Sequence, residues 1–259
     1  MTHEFHLIRF EVQDRVARVT FNRPPLNVMN IAMMREINAA LNDCAQQRDL
    51  AAIVFDAAEG TRAFSAGVAV EEHVPATVFQ MLDSFHAVFR TLQQIAKPTI
   101  AVVDGPALGG GCELVAACDI VLASDRAKFG QPEIKLGVFP PIAAILLPAI
   151  IGERRARELI LTGELIEAEE ALRLGLVNYV VPSDEIASKT QEVLGKLRAL
   201  SASALSMTRM ALDLGTRQSF ESALINVENL YLHELMKTED AEEGVRAFME
   251  KRQPKWKNK

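Results

Sequence analysis

The segments HLIRFEVQ and VARVTFN each carry closely spaced apolar positions and flank the polar pair Asp14-Arg15, which predicts a β-hairpin. Behind it, Met33, Met34, Ile37, Ala40 and Leu41 recur at helical spacing. Three short runs follow in which almost every residue is apolar: AAIVFDA from Ala51, TIAVVDG from Thr99 and DIVLAS from Asp119. A helical stretch over about Val78 to Ile95 separates the first two. Runs this continuous are expected for strands covered on both faces, and their alternation with helix predicts a βαβ core.

From Glu153 onward the pattern is mostly helical. ARELILTG and EAEEALRLG each close on a glycine, and helical spacing continues over Ala202 to Leu214 and Ser219 to Met236. One short strand, NYVVP, interrupts them. The expectation is a single α/β domain whose helical back half either covers the core or contacts another subunit.

Composition narrows the class. A chain of 259 residues that is 49% hydrophobic and 24% charged can bury a substantial core. A formal net charge of −6, with Lys and Arg gathered only in the tail Lys251 to Lys259, argues against nucleic acid as the main partner. Cys44, Cys112 and Cys118 are odd in number and lack C-x-x-C spacing, which fits a reducing cytoplasm. MTHEFHLIRFEVQDR has neither the basic start nor the apolar run of a signal peptide. The longest apolar run, Val138 to Ile151, is cut by Pro140, Pro141 and Pro148, so no membrane span is expected.

The chemistry gathers where strands hand over to loops. GTRAFSAGVAVEEH follows the first buried run and PALGGGCELVAAC the second, so both glycine-rich segments are placed at the carboxyl ends of strands, where α/β sheets bind ligands. The run Gly109-Gly110-Gly111 lacks the spacing of a dinucleotide fingerprint, having Leu114 where a further glycine belongs. It also has Cys112 where a phosphate loop needs lysine. What remains is a helix starting at about Gly110 with free N–H groups above the sheet, or three glycines that merely permit tight packing. Phe64-Ser65-Ala66-Gly67-Val68 offers a second such amide. Ala63 rules out a nucleophile elbow, so Ser65 is read as a turn residue. His3, His6, His73, His86 and His233 show no metal-ligand spacing and are read as surface or core residues, with no metal or redox cofactor expected.

Two carboxylates stand out by context. Glu113 falls in the first turn after the glycine run, where capping alone is worth about 1 kcal/mol or less. Glu133 sits among Phe129, Pro132, Ile134 and Phe139 in the apolar, proline-bounded loop FGQPEIKLGVFPP. Two glutamates near one pocket can divide labour, one keeping a proton while the other stays ionised.

These motifs identify a resemblance to the crotonase, or enoyl-CoA hydratase/isomerase, superfamily. It runs collinearly through VTFNRPPLNVMN, AFSAGV, KPTIAVVDGPALGGGCELVAACDIVLAS, FGQPEIKLG, ELILTGELIEAEEALRLGLVNYVVP and GVRAFMEKRQPKW. The resemblance implies an α/β spiral of ββα units over residues 1–195. It also implies a helical C-terminal region over 196–259 that completes the domain and joins subunits into a homotrimer or homohexamer. It places oxyanion amides at Val68 and Gly110, substrate contacts at Ala66, Gly67, Ala69, Val70, Gly109, Phe139, Pro140 and Pro141, and catalytic carboxylates at Glu113 and Glu133. In hydratases of the family both glutamates are present. Glu133 would give the proton to the α-carbon while Glu113 assists hydroxyl delivery. Coenzyme A would enter as part of the acyl-CoA substrate, with Arg23, Lys135, Lys255 and Lys257 as candidate phosphate partners.

Two departures modify the expectation. Val68-Ala69-Val70 stands where the family commonly has a polar residue after alanine. Phe139-Pro140-Pro141-Ile142-Ala143-Ala144 replaces a glycine-rich stretch, and Pro141 has no N–H to offer the catalytic water. The GVFPP and FSAGV variants resemble the cyclohexa-1,5-diene-1-carbonyl-CoA hydratases of aromatic degradation. A straight-chain enoyl-CoA hydratase is the alternative, followed by an isomerase or decarboxylase on the same scaffold and, against the acidic balance, an RNA-binding member.

Overall fold

The computed structural model describes residues 4–215, 226, 229–231 and 233–258. The hairpin forms where expected: β1 (Ile8–Gln13) and β2 (Val16–Phe21) pair antiparallel, with Gln13 opposite Val16. Asp14 and Arg15 both take positive φ, 48° and 65°, the two-residue turn that matches strand twist. From that turn the Arg15 guanidinium donates to the carbonyls of Arg198 and Leu200 and to Asn258 Oδ1, fastening the hairpin to the end of the chain.

Further along come β3 (Ala52–Ala57), β4 (Thr99–Val103), β5 (Ala107–Leu108), β6 (Ile120–Ser124), β7 (Lys128–Gly130), β8 (Leu165–Glu167) and β9 (Tyr179–Val181). The main sheet has the order β1-β2-β3-β4-β6-β9 and is parallel from β2 onward. Ile53 and Phe55 join the core formed with α1 (Ile31–Ala45) and α2 (Val78–Ile95). The intervening Ala52 and Val54 pack on the other face with Val193 and Leu194 of α7 (Ile186–Arg198). Burial on both faces is why these strands read as unbroken apolar runs. On α1, Asn30 caps the first turn by accepting from the Met33 amide at 2.9 Å, and the predicted stripe Met33, Met34, Ile37, Ala40 and Leu41 is buried.

Beside the main sheet lies a second one, β5-β7-β8, whose two- and three-residue strands are too short to show a period. Out of β5 springs α3 (Gly110–Ala116). The proline-cut run past Val138 is also helical: α4 (Pro141–Ile151) has Pro141 at its first position, where no N–H is needed, and tolerates Pro148 inside. Next, α5 (Glu153–Thr162) and α6 (Ala168–Leu174) stop at Gly163 and Gly175, which hold the left-handed φ values of 64° and 83° that end a helix cheaply. Two more helices, α8 (Ala202–Gly215) and α9 (Glu239–Met249), follow. Most of the helix expected over Ser219 to Met236 lies outside the described residues. Among the described residues no helix is long and apolar enough to cross a membrane.

Candidate active site

The chain leaving β3 does not wander before it reaches α2. Ser65 forms a bridge to Ala107 of β5, and Val68 forms a parallel bridge to Met29. In the second bridge the Met29 amide donates to Gly67 O at 2.8 Å and the Ala69 amide donates to Met29 O at 2.9 Å. The pattern of a parallel ladder turns the N–H of the residue between them, Val68, away from Met29. Ser65 is buried and its hydroxyl donates to Asn27 O at 2.8 Å while accepting from the Gly67 amide, so it braces the turn as expected.

The second amide comes from α3. Gly110 is its first residue, so its N–H precedes any intrahelical acceptor. A Cβ on Gly110 would come within 2.8 Å of Val68 Cγ2 and 2.9 Å of Phe85 Cζ, so only glycine lets the two amide-bearing segments approach this closely. Gly67, at φ 103°, packs on the same corner; a Cβ there would stand 3.1 Å from Leu108 O and 3.6 Å from Gly110 N.

These segments form one side of a cleft of about 320 Å³. Ala66, Gly67, Val68, Val70 and His73 line it, with Val78, Met81, Leu82 and Phe85 of α2. Gly109, Glu113, Pro132, Glu133 and the stretch from Leu136 to Pro141 complete the lining. Glu113 and Glu133 therefore face one space.

Glu113 is 2% exposed, and its Oε1 accepts the Ala143 amide of α4 at 2.8 Å. Burial pushes its carboxyl up to about 8; Glu133 adds to the rise, while the Ala143 and Ile142 amides oppose it. Glu133 sits in the single helical turn Pro132–Leu136 and lies so close to Gly109 that a Cβ there would overlap its Oε1. Its Oε2 is buried without a protein partner, and burial pushes the carboxyl up to about 7. The pair thus retains a proton near neutrality, so one acid and one base share the cleft.

Of the positions expected to meet substrate, Ala66, Gly67, Val70, Gly109, Phe139, Pro140 and Pro141 line the cleft. Ala69 does not: its amide is spent on Met29 and its side chain is 5% exposed, buried outside the cleft lining. Pro141 offers no amide, yet the helix it starts presents that of Ala143 instead. Residues that sequence reasoning missed include His73, Met81, Leu82 and Phe85. The spacing of Val78, Met81, Leu82 and Phe85 was visible but indistinguishable from a core stripe. Of the proposed phosphate partners, Arg23 spends its guanidinium on Val28 O at 2.8 Å and Lys257 pairs with Glu239 at 2.6 Å.

Residues 11–259 match the family model for enoyl-CoA hydratase/isomerase. The chain belongs to this family. Within it, a Mycobacterium tuberculosis protein described as "Probable enoyl-CoA hydratase echA8" is 39% identical over 259 residues, covering 99% of either chain. The cyclohexa-1,5-dienecarbonyl-CoA hydratase of Thauera aromatica is 38% identical over 242 residues, 93% of either chain. The enoyl-CoA hydratase structure from Bacillus anthracis superposes with a TM-score of 0.92 at 30% identity, covering 98% of this chain and 100% of the other. The fold is accordingly the α/β spiral of the crotonase superfamily.

Proposed function

We propose that the chain, a hydro-lyase of the enoyl-CoA hydratase type, adds water to a conjugated acyl-CoA thioester, with cyclohexa-1,5-diene-1-carbonyl-CoA as its substrate. The observation that carries hydration is the presence of both carboxyls, Glu113 and Glu133, raised by burial in a cleft that Val68 and Gly109 also line, with Gly110 packed directly behind Val68. The thioester oxygen would lie between the Val68 and Gly110 N–H groups, which take up charge as the enolate forms; one such donor is commonly worth about 3 kcal/mol. Water would sit between the carboxyls, Glu113 assisting delivery of the hydroxyl and Glu133 giving the proton to the α-carbon. Glu113 has an amide donor that favours its ionised form, whereas Glu133 Oε2 has none, and that contrast supports the division. The deeper burial of Glu113 acts in the opposite sense.

A cyclic acyl group is supported by the compact cleft, which Phe85 lines and the proline-started α4 stiffens. Likeness to the Thauera protein supports it too. The equal likeness to the Mycobacterium protein favours the second reading, a straight-chain enoyl-CoA hydratase. Coenzyme A enters only as part of the substrate, and no separate cofactor is proposed. The working form is proposed to be a cytoplasmic homotrimer or homohexamer.

Mass-spectrometric assay of water addition across straight-chain enoyl-CoA and cyclic dienoyl-CoA thioesters tests the reading. Turnover confined to straight chains sinks the cyclic substrate. Failure across the panel sinks hydration itself.

A further inference from the structure

Among the described residues whose side chains line the cleft, His73 is the one polar group apart from the two glutamates. Its place in the wall is fixed from several directions. The turn Val70–Glu72 precedes it, and the Glu72 carboxylate accepts the Ile31 amide at 2.9 Å, tying this turn to the start of α1. Thr77 Oγ1 donates to Glu72 O at 3.0 Å from the far side. The imidazole itself is anchored, with Nδ1 2.9 Å from the Ala69 carbonyl.

A carbonyl oxygen only accepts, so in the neutral ring Nδ1 must carry the proton, which leaves Nε2 with a bare lone pair. Nε2 has no partner among the described residues. Other side chains of the lining are apolar: Val70, Val78, Met81, Leu82 and Phe85. An acyl group that filled the cleft would expel water from that nitrogen, and a purely hydrocarbon one would return nothing in exchange.

We infer that His73 is a specificity-determining residue, and that its Nε2 accepts a hydrogen bond from a hydroxyl carried by the acyl group beyond the reacting double bond. The inference rests on the hydratase reading but not on its cyclic acyl group, which has no hydroxyl to offer: it adds a further class of substrate, an unsaturated acyl-CoA bearing a hydroxyl on its distal part. The glutamates and amides are assigned the chemistry at the thioester, and His73 is given no part in it. Its contribution is therefore one of selection and not of chemistry.

The test compares α,β-unsaturated hexenoyl-CoA with its γ-, δ- and ε-hydroxylated derivatives on wild type, His73→Met and His73→Gln. Each enzyme is read as the ratio of kcat/KM between a hydroxylated and the unsubstituted thioester, so losses from imperfect folding cancel. Wild type is expected to favour one hydroxylated position by roughly tenfold to a hundredfold, the usual cost of leaving a desolvated polar nitrogen unpaired. His73→Met should abolish the preference, and His73→Gln, whose amide oxygen can accept, should keep part of it. A wild type that favours the unsubstituted thioester throughout, or a preference that survives His73→Met, overturns the inference while hydration stands. Absence of turnover on every thioester overturns the hydratase reading and this inference with it.

Discussion

The backbone amide of Ala143 donates to Glu113 Oε1 across 2.8 Å, joining the second residue after the proline that begins α4 to a carboxyl in the first turn of α3. One helix thus holds the acid of another in place, and both starts meet at the cleft.

Neutralising either carboxyl should remove water addition. Glu113→Gln and Glu133→Gln are each expected to lower kcat by roughly 10²–10⁴-fold, the range of a lost general acid or base. Single-turnover assays of hydration check this, with circular dichroism confirming an intact fold. An isomerase would keep activity in one of the two variants.

Activity should be bell-shaped in pH. The pair is doubly protonated well below about 7 and doubly ionised well above about 8, so its one-proton form, and with it kcat/KM, is expected to peak between these values. A profile flat from about pH 5 to pH 9 would contradict the raised carboxyls.

Stability carries the same signature with a definite sign. Both carboxyls hold their proton more tightly when folded than when unfolded, so their stabilising effect is complete below the ordinary carboxylate range and disappears as pH rises through about 7 and about 8. Glu113 alone can cost up to about 5 kcal/mol once ionised. The thermal midpoint of wild type should therefore fall between about pH 5 and pH 8 more steeply than that of Glu113→Gln. Equal slopes in scanning calorimetry would refute the linkage.

Gly110→Ala would place a methyl against Val68 Cγ2 and Phe85 Cζ and push the two amides apart. The expected loss in kcat is about 10²–10³-fold, as for removal of an oxyanion donor. Binding of free coenzyme A, measured by calorimetry, should change far less.

Pro141→Gly would free the first residue of α4. Relaxing a proline of compatible geometry costs roughly 0.4–1 kcal/mol, so the melting midpoint should drop by about 1–4 °C. Any larger fall would mean that Pro141 packs more than it preorganises.

The main-sheet strands β3, β4 and β6, and α2, were legible because burial on both faces, or along one stripe, leaves a simple pattern of apolar residues. Glu113 and Glu133 stood out by their setting beside glycines and prolines, but a catalytic role for them came only with the family resemblance. α4 was obscured because prolines read as breakers; only the structure shows Pro141 at a position where a missing N–H is harmless. The Ala143 amide was invisible for a different reason, since a backbone donor carries no side-chain signature. His73 and Phe85 belong to the cleft through the way α2 and the turn before it fold over α3, a relation between distant segments that local spacing does not encode.

The bridge between Met29 and Val68 has one more consequence. Gly67 O and the Ala69 amide, on either side of Val68, are both bonded to Met29, so the Val68 amide cannot swing aside without tearing a strand pairing, and the cradle proposed for the thioester oxygen is set when the chain folds. The ordering entropy of that cradle is lost during folding, and a substrate arriving there spends none of its affinity on assembling it.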